Sequence, residues 1–131
     1  MLLYATFGTN DVPRAKAFYT PALATLGAVL RHDASDEGGY GMPGSPDCCF
    51  YITKPYDQRP ASTGNGTMLA LVARSKAEVD AFHANALANG GSDEGQPGLR
   101  YSPTFYSCYV RDPDGNKLSA VFDHPSNALA S

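Results

Sequence analysis

The sequence has no tryptophan, only three cysteines and no long apolar run, and its charge balance leans only slightly acidic. Each shortage removes a class of explanation. Ten Lys and Arg against thirteen Asp and Glu leave a formal net charge of −3. The basic residues are scattered, so there is no electropositive footprint for nucleic acid or an anionic membrane. The opening MLLYATFGTND lacks a positively charged leader, and its apolar stretch falls far short of the ~20 residues of a membrane span. The expectation is a cytoplasmic protein with neither nucleic-acid nor membrane partners. Two of the cysteines, Cys48 and Cys49, are adjacent. Neighbours on a strand point to opposite faces, which does not suit a disulfide framework. No CxxC, HExxH, GxSxG or GxxxxGK[ST] occurs, so zinc, hydrolase and phosphate-loop chemistry have no local motif.

What is present is organisation. A chain of 131 residues, 43% hydrophobic, can bury roughly two thirds of its unfolded surface as one domain. Laid on itself at an offset of 64 (81 − 17), the chain matches Ala17-Phe18 with Ala81-Phe82, and Ala22-Leu23-Ala24 with Ala86-Leu87-Ala88. The same offset places Asp11 on Ser75, both suited to accept an orphan N–H at a helix start. Ser75 and Glu78 have capping-box spacing. Pro13 falls in the first turn of the first helix, where its missing N–H costs nothing. Each helix carries an apolar stripe, Ala15, Phe18, Ala22 and Leu26 in one and Val79, Phe82, Ala86 and Leu87 in the other, which reads as a cover for a sheet.

Strands are expected at 2–7, 28–32, 39–42 and 48–53 in the first half, and at 66–72, 92–95, 105–111 and 117–122 in the second, separated by turn-forming residues. The prediction is an α+β domain spanning 1–131. It is made of two βαβββ modules, about 1–53 and 66–123, joined by the polar segment 54–65. Their curled mixed sheets surround a cavity and carry the helices on the outer face.

This plan, with GTNDVPRAKAFY near the start, GNGTMLAL in the middle and RDPDGNKLSAVF near the end, resembles the vicinal oxygen chelate superfamily, which groups glyoxalases, bleomycin-resistance proteins and extradiol dioxygenases. The resemblance covers essentially the whole chain and is greatest to small single-domain glyoxalase-like proteins. It implies a cavity enclosed by paired modules and a homodimer. In metal-dependent members four inward side chains hold a divalent ion, and those positions correspond here to Tyr4, Tyr51, Met68 and Ser119. A gap of a residue or two would put Cys49 or Thr53 in place of Tyr51. None of the four suits an oxygen and nitrogen site for zinc, nickel, manganese or iron. A phenol of pKa about 10 lies roughly 3 units from supplying phenolate at neutral pH, and a thioether is a soft ligand. The expectation is a cavity with no metal and no cofactor.

Strand parity extends the inward set from those positions to Thr6 and Cys49, with Ala70, Lys117 and Val121 on the same face, and turns Leu3, Ala5, Phe50, Ile52, Leu69, Leu71 and Leu118 toward the helices. The resulting pocket, Tyr4, Thr6, Cys49, Tyr51, Met68 and Ser119, suits a small, largely planar or amphipathic organic ligand. Binding without a metal is the leading functional reading. A glyoxalase-like lyase, isomerase or dioxygenase-type enzyme is the alternative, with a non-standard metal set or acid–base chemistry through Tyr4 or Tyr51. A domain acting mainly as a dimerisation or regulatory partner is a third.

The remaining polar residues carry less. Asp112, Asp114 and Asn116 mimic a calcium loop, but Lys117 and Asp123 stand where it needs glycine and glutamate, so DPDGN reads as a tight turn. The three histidines read as separate surface or turn residues, and Cys108 as a packed thiol. The glycines around Tyr40 read as a bent strand, with Tyr40 itself a candidate for the cavity wall.

Overall fold

The computed structural model describes residues 1–129. Strand β1 (Ala5–Gly8) leads into helix α1 (Val12–Ala24), followed by β2 (Val29–Ala34), β3 (Glu37–Gly41) and β4 (Phe50–Thr53). The second half repeats the series as β5 (Met68–Val72), α2 (Lys76–Ala88), β6 (Ser92–Leu99), β7 (Phe105–Arg111) and β8 (Lys117–Asp123), and a short 3-10 turn (Pro125–Ala128) follows. Two four-stranded sheets result, ordered β1-β4-β3-β2 and β5-β8-β7-β6. In each the first strand pairs parallel with the last, and the other pairings are antiparallel. The sheets curl without closing.

The offset of 64 holds at both ends of the helices, 76 − 12 and 88 − 24. Both caps form as the sequence reads: Asp11 accepts the Arg14 amide at 3.0 Å, and Ser75 Oγ accepts the Glu78 amide at 3.1 Å. Glu78 does not close a reciprocal box on Ser75. It reaches one residue further back, to the Arg74 amide at 2.7 Å, and pairs with the Arg74 guanidinium. Past the helix ends, Gly27 and Gly90 take φ of 86° and 98°, where a side chain would be strained.

Helix α1 lays Ala15, Phe18, Tyr19 and Ala22 on Phe7, Tyr40, Phe50 and Ile52 of the first sheet, all buried. Helix α2 lays Val79, Phe82 and Ala86 on Cys108, Val110, Leu118 and Ala120 of the second. The two helices also pack on each other, which makes one continuous core. Two stripe residues depart from expectation: Leu87 stays exposed, and Leu26 is buried beyond the end of its helix.

Other departures have local causes. Residues 2–4 precede β1 and lie exposed. Strand β4 starts at Phe50 and not at Cys48, and the chain before it passes so close to Gly41 that a Cβ there would clash with the Asp47 carbonyl. Strand β6 runs to Leu99, and its register slips at Asp93/Gly95 and Gly95/Gly98, so its glycines and proline hide a strand that is irregular but long. Tyr40 is 1% exposed inside the α1 core and bonds Thr20 at 2.9 Å, so it walls no cavity. His83 is buried, not at the surface, with Nε2 2.8 Å from Asp93.

The DPDGN turn does more than set register. Asp112 is 5% exposed. Its carboxylate accepts the amides of Asp114 and Asn116, the Asn116 side-chain amide at 2.9 Å and, from the other module, the Tyr19 hydroxyl at 2.5 Å. Asn116 in turn donates to the Gly8 carbonyl at 3.1 Å. Asp114 accepts from Thr9 Oγ1 at 2.6 Å, the Asn10 amide at 3.0 Å and the Arg14 guanidinium at 2.8 Å. The turn of the second half thereby fastens the junction between β1 and α1 of the first.

Candidate functional site

On the face of the first sheet turned away from α1, register brings Thr6 opposite Tyr51 and Tyr51 opposite Gly39. The ring of Tyr4 meets that of Tyr51 edge to face, centroids 5.2 Å apart at 79°, an arrangement favoured by the ring quadrupoles. Gly39 makes the space: a Cβ there would lie 2.8 Å from the Tyr51 ring and 2.9 Å from Cys48 Sγ. Tyr4, Thr6 and Tyr51, with Glu37, Thr53, Tyr56 and others, line an open cavity of about 560 Å³. The Tyr51 phenol is held above its ordinary pKa, by desolvation first and by neighbouring Cys48 next. That direction opposes a phenolate, whether as metal ligand or as general base.

The other expected site residues lie elsewhere. Cys49 and Tyr4 line a narrow groove of about 180 Å³ with Leu69, Ala70 and Leu71, where the edge strands β1 and β5 approach. Met68 lines a cavity of about 800 Å³ together with Arg111, Asp114, Lys117 and the loop Thr63 to Thr67. Ser119 is 0% exposed and lines none of these three spaces. Its Oγ is the one buried side-chain oxygen or nitrogen among the described residues that has no hydrogen-bond partner. The six residues therefore do not surround one cavity within this chain. Parity fixes the face of a strand within its sheet, but it does not say whether two sheets face a common space.

Parity does recover an internal equivalence. Thr6 stands opposite Tyr51 as Ala70 stands opposite Ser119, and 70 − 6 is the repeat offset of 64. Tyr51, and not Cys49 or Thr53, is the counterpart of Ser119. Tyr4 and Met68 are likewise 64 apart.

The resemblance drawn from the sequence implies that metal-dependent relatives would hold a divalent ion at the positions of Tyr4, Tyr51, Met68 and Ser119. Here the donors would be two phenols, a thioether and a sealed hydroxyl. No group of three or more His, Cys, Asp or Glu among the described residues is placed to hold a metal. The donor set does not fit the ion. Cys108 offers no alternative chemistry, since it is buried against the Val79 carbonyl and burial pushes its thiol up to about 11.

Sequence reasoning missed several lining residues. Glu37 pairs across the ladder with Thr53 and so shares the Tyr51 face, which period-two counting in the correct register would have found. Tyr56 and Gln58 come from the linker, and Arg100 reaches over Tyr109 from beyond β6. Loop-borne side chains like these leave no periodic signal.

A glyoxalase/bleomycin resistance protein from Albidiferax ferrireducens T118 is 40% identical to this chain, with a TM-score of 0.82 over 91% of this chain and 95% of that one. A glyoxalase-related enzyme from Fulvimarina pelagi shares the fold at 20% identity and a TM-score of 0.73, over 93% and 87% of the two chains. A fosfomycin resistance protein from Listeria monocytogenes does so at 18% and 0.67, over 98% of each. No curated protein matches the sequence. The family model for the Glyoxalase/Bleomycin resistance protein/Dioxygenase superfamily matches residues 2–119, and the chain belongs to that superfamily.

Proposed function

We propose that the protein is a metal-independent binder of a small organic molecule, serving to sequester or sense it. The observation that carries this reading is the Tyr4–Tyr51 pair, two aromatic faces with polar tips opening on a cavity of about 560 Å³, within the size range of small-molecule sites. The raised Tyr51 phenol supports binding over base catalysis at that residue. Thermal-shift screening of neutral and charged aromatic compounds, followed by calorimetry, tests it. Tyr51→Ala is expected to weaken a hit about tenfold or more, and Tyr51→Phe to cost that much only if the hydroxyl is bonded to the ligand. Unchanged affinity in both Tyr4→Ala and Tyr51→Ala places the ligand elsewhere. Stoichiometric nickel, zinc or manganese in protein purified without chelator overturns metal independence.

The same reading includes a cytoplasmic homodimer. Leu2, Leu3 and Tyr4, just before edge strand β1, are exposed, as are Met68 and Val72 on edge strand β5. Uncovered apolar edges of this kind favour a partner, and a second copy would extend the open cavities. Sedimentation at micromolar concentration is expected to give a dimer. A monomer would remove the second copy from this reading.

A further inference from the structure

On the open face of the second sheet, two of three neighbouring cations have no acid to neutralise them among the described residues. Arg111 is paired with Glu94 at 2.6 Å. Lys117 and Arg100 have no carboxylate within ion-pair distance among the described residues. Both lie over the ring of Tyr109, Lys117 Nζ 5.5 Å and Arg100 Cζ 5.2 Å from its centre. The nearby acids are engaged elsewhere. Asp114, which shares the large cavity with Lys117, is bound by Arg14, Thr9 and Asn10. Asp93, which feels the Arg100 charge, is bonded to His83 and the Gly95 amide. On a chain of net charge −3, two unneutralised cations converging on one ring are a local feature.

A second observation marks the same place. Tyr109 stands directly across the ladder from Ser119, with Ala70 on the other side of Ser119. Lys117, two residues from Ser119 on β8, shares its face. Directly paired side chains have Cβ atoms about 5 Å apart. The unpartnered Ser119 hydroxyl is therefore next to the ring that both cations cover. An oxyanion would supply what each group lacks: a counter-charge for Lys117 and Arg100, and an acceptor for Ser119 once the Tyr109 ring moves aside.

We propose that this face, at Lys117, Arg100, Tyr109 and Ser119, is an oxyanion subsite that recognises the carboxylate, phosphate or phosphonate group of a small organic ligand. The inference rests on the ligand-binding reading above and narrows its ligand to organic anions. Arg100 is held by the carbonyls of Gln96 and Ser107, so it is a fixed donor, whereas the Lys117 ammonium makes no hydrogen bond or ion pair among the described residues and can meet the ligand.

The test is calorimetric titration of benzoate, phenyl phosphate and phenylphosphonate, with neutral benzamide as the matched control, into the full chain at low salt. Anion binding is expected to weaken as salt is added. Lys117→Gln is expected to lose about tenfold in affinity and Ser119→Ala about fivefold, in keeping with charge-assisted and ordinary hydrogen bonds. Lys76→Gln removes an equivalent cation from over the Tyr106 ring, 5.3 Å away, and should change nothing. The relative affinities of the three anions identify which group the subsite takes. Refusal of all three at millimolar concentration, equal binding of benzamide, unchanged affinity in Lys117→Gln, or an equal loss in Lys76→Gln each overturns the proposal. A neutral compound bound at Tyr4 and Tyr51 while the anions are refused sinks this inference and leaves the broader ligand-binding reading standing.

Discussion

Asp112→Ala is expected to destabilise the protein by about 3 kcal/mol or more, enough to lower the melting temperature by roughly 10 °C in a domain of this size. The carboxylate is 5% exposed and answers four donors, two turn amides, the Asn116 side chain and the Tyr19 hydroxyl. Removing it leaves those donors buried without acceptors, and an unmet buried donor costs more than a formed bond contributes. Tyr19→Phe removes a single donor and should cost about half as much. Because both changes act on one bond, their effects should be less than additive in the double variant. Chemical denaturation of the four proteins decides the matter. An Asp112→Ala loss below that of Tyr19→Phe would mean that the turn is held by its backbone alone.

The same bond predicts an alkaline limit. Burial first, and the Asp112 charge next, raise the Tyr19 phenol well above its ordinary value. A group whose folded pKa is raised contributes its stability in full below the unfolded value, about 10 for tyrosine, and loses it as pH rises through the folded value. Stability should therefore fall above about pH 10, and Tyr19→Phe should flatten that decline. An identical decline in the variant would assign the loss to other groups.

How much of this was readable from sequence depended on whether a feature was periodic. The helix starts were legible at the residue level through Asp11 and Ser75, because caps are local signals that tertiary packing did not override, whereas Leu26 of the first stripe falls beyond the helix end. Strand β6 was half seen, because glycine, proline and two register slips erase alternation while the ladder persists. His83 looked like a surface residue because nothing local shows that Asp93, ten residues on, folds back to bond it. The DPDGN turn was recognised as a turn, yet its hold on Tyr19, Thr9 and Arg14 spans about a hundred residues and could not be read locally.

For the site, the faces were legible and the enclosure was not. Alternation placed Tyr4, Thr6 and Tyr51 on one open face, where they line a shared cavity. It also put Ser119 on the face alternate to Leu118 and Ala120, which are buried with the helix α2 residues, but it could not show that Ser119 has no exposed surface. Tyr109 stands opposite it on the neighbouring strand, and Arg100, from the connection after β6, lies over the Tyr109 ring. Side chains contributed by other strands and loops decide accessibility, and single-strand patterns are silent about them.

That burial makes Ser119 the most informative position to change. Ser119→Ala is expected to stabilise the fold by about 1 kcal/mol, since it removes a buried hydroxyl that has no partner and leaves only a small void. Ser119→Glu is expected to lose about 3 kcal/mol or more, because a longer, charged group must enter a site with no accessible surface between Ala70 and Tyr109. Ser119→Gln has the same length without the charge, so the difference between the two isolates desolvation. A buried glutamate has its folded pKa raised, so its penalty is present above that value and eases as pH falls. Ser119→Glu should accordingly approach Ser119→Gln in mildly acidic buffer. A loss in Ser119→Ala would mean that the hydroxyl has an acceptor in solution. A Ser119→Glu variant as stable as the parent would mean that the surroundings of Ser119 yield readily to a larger group.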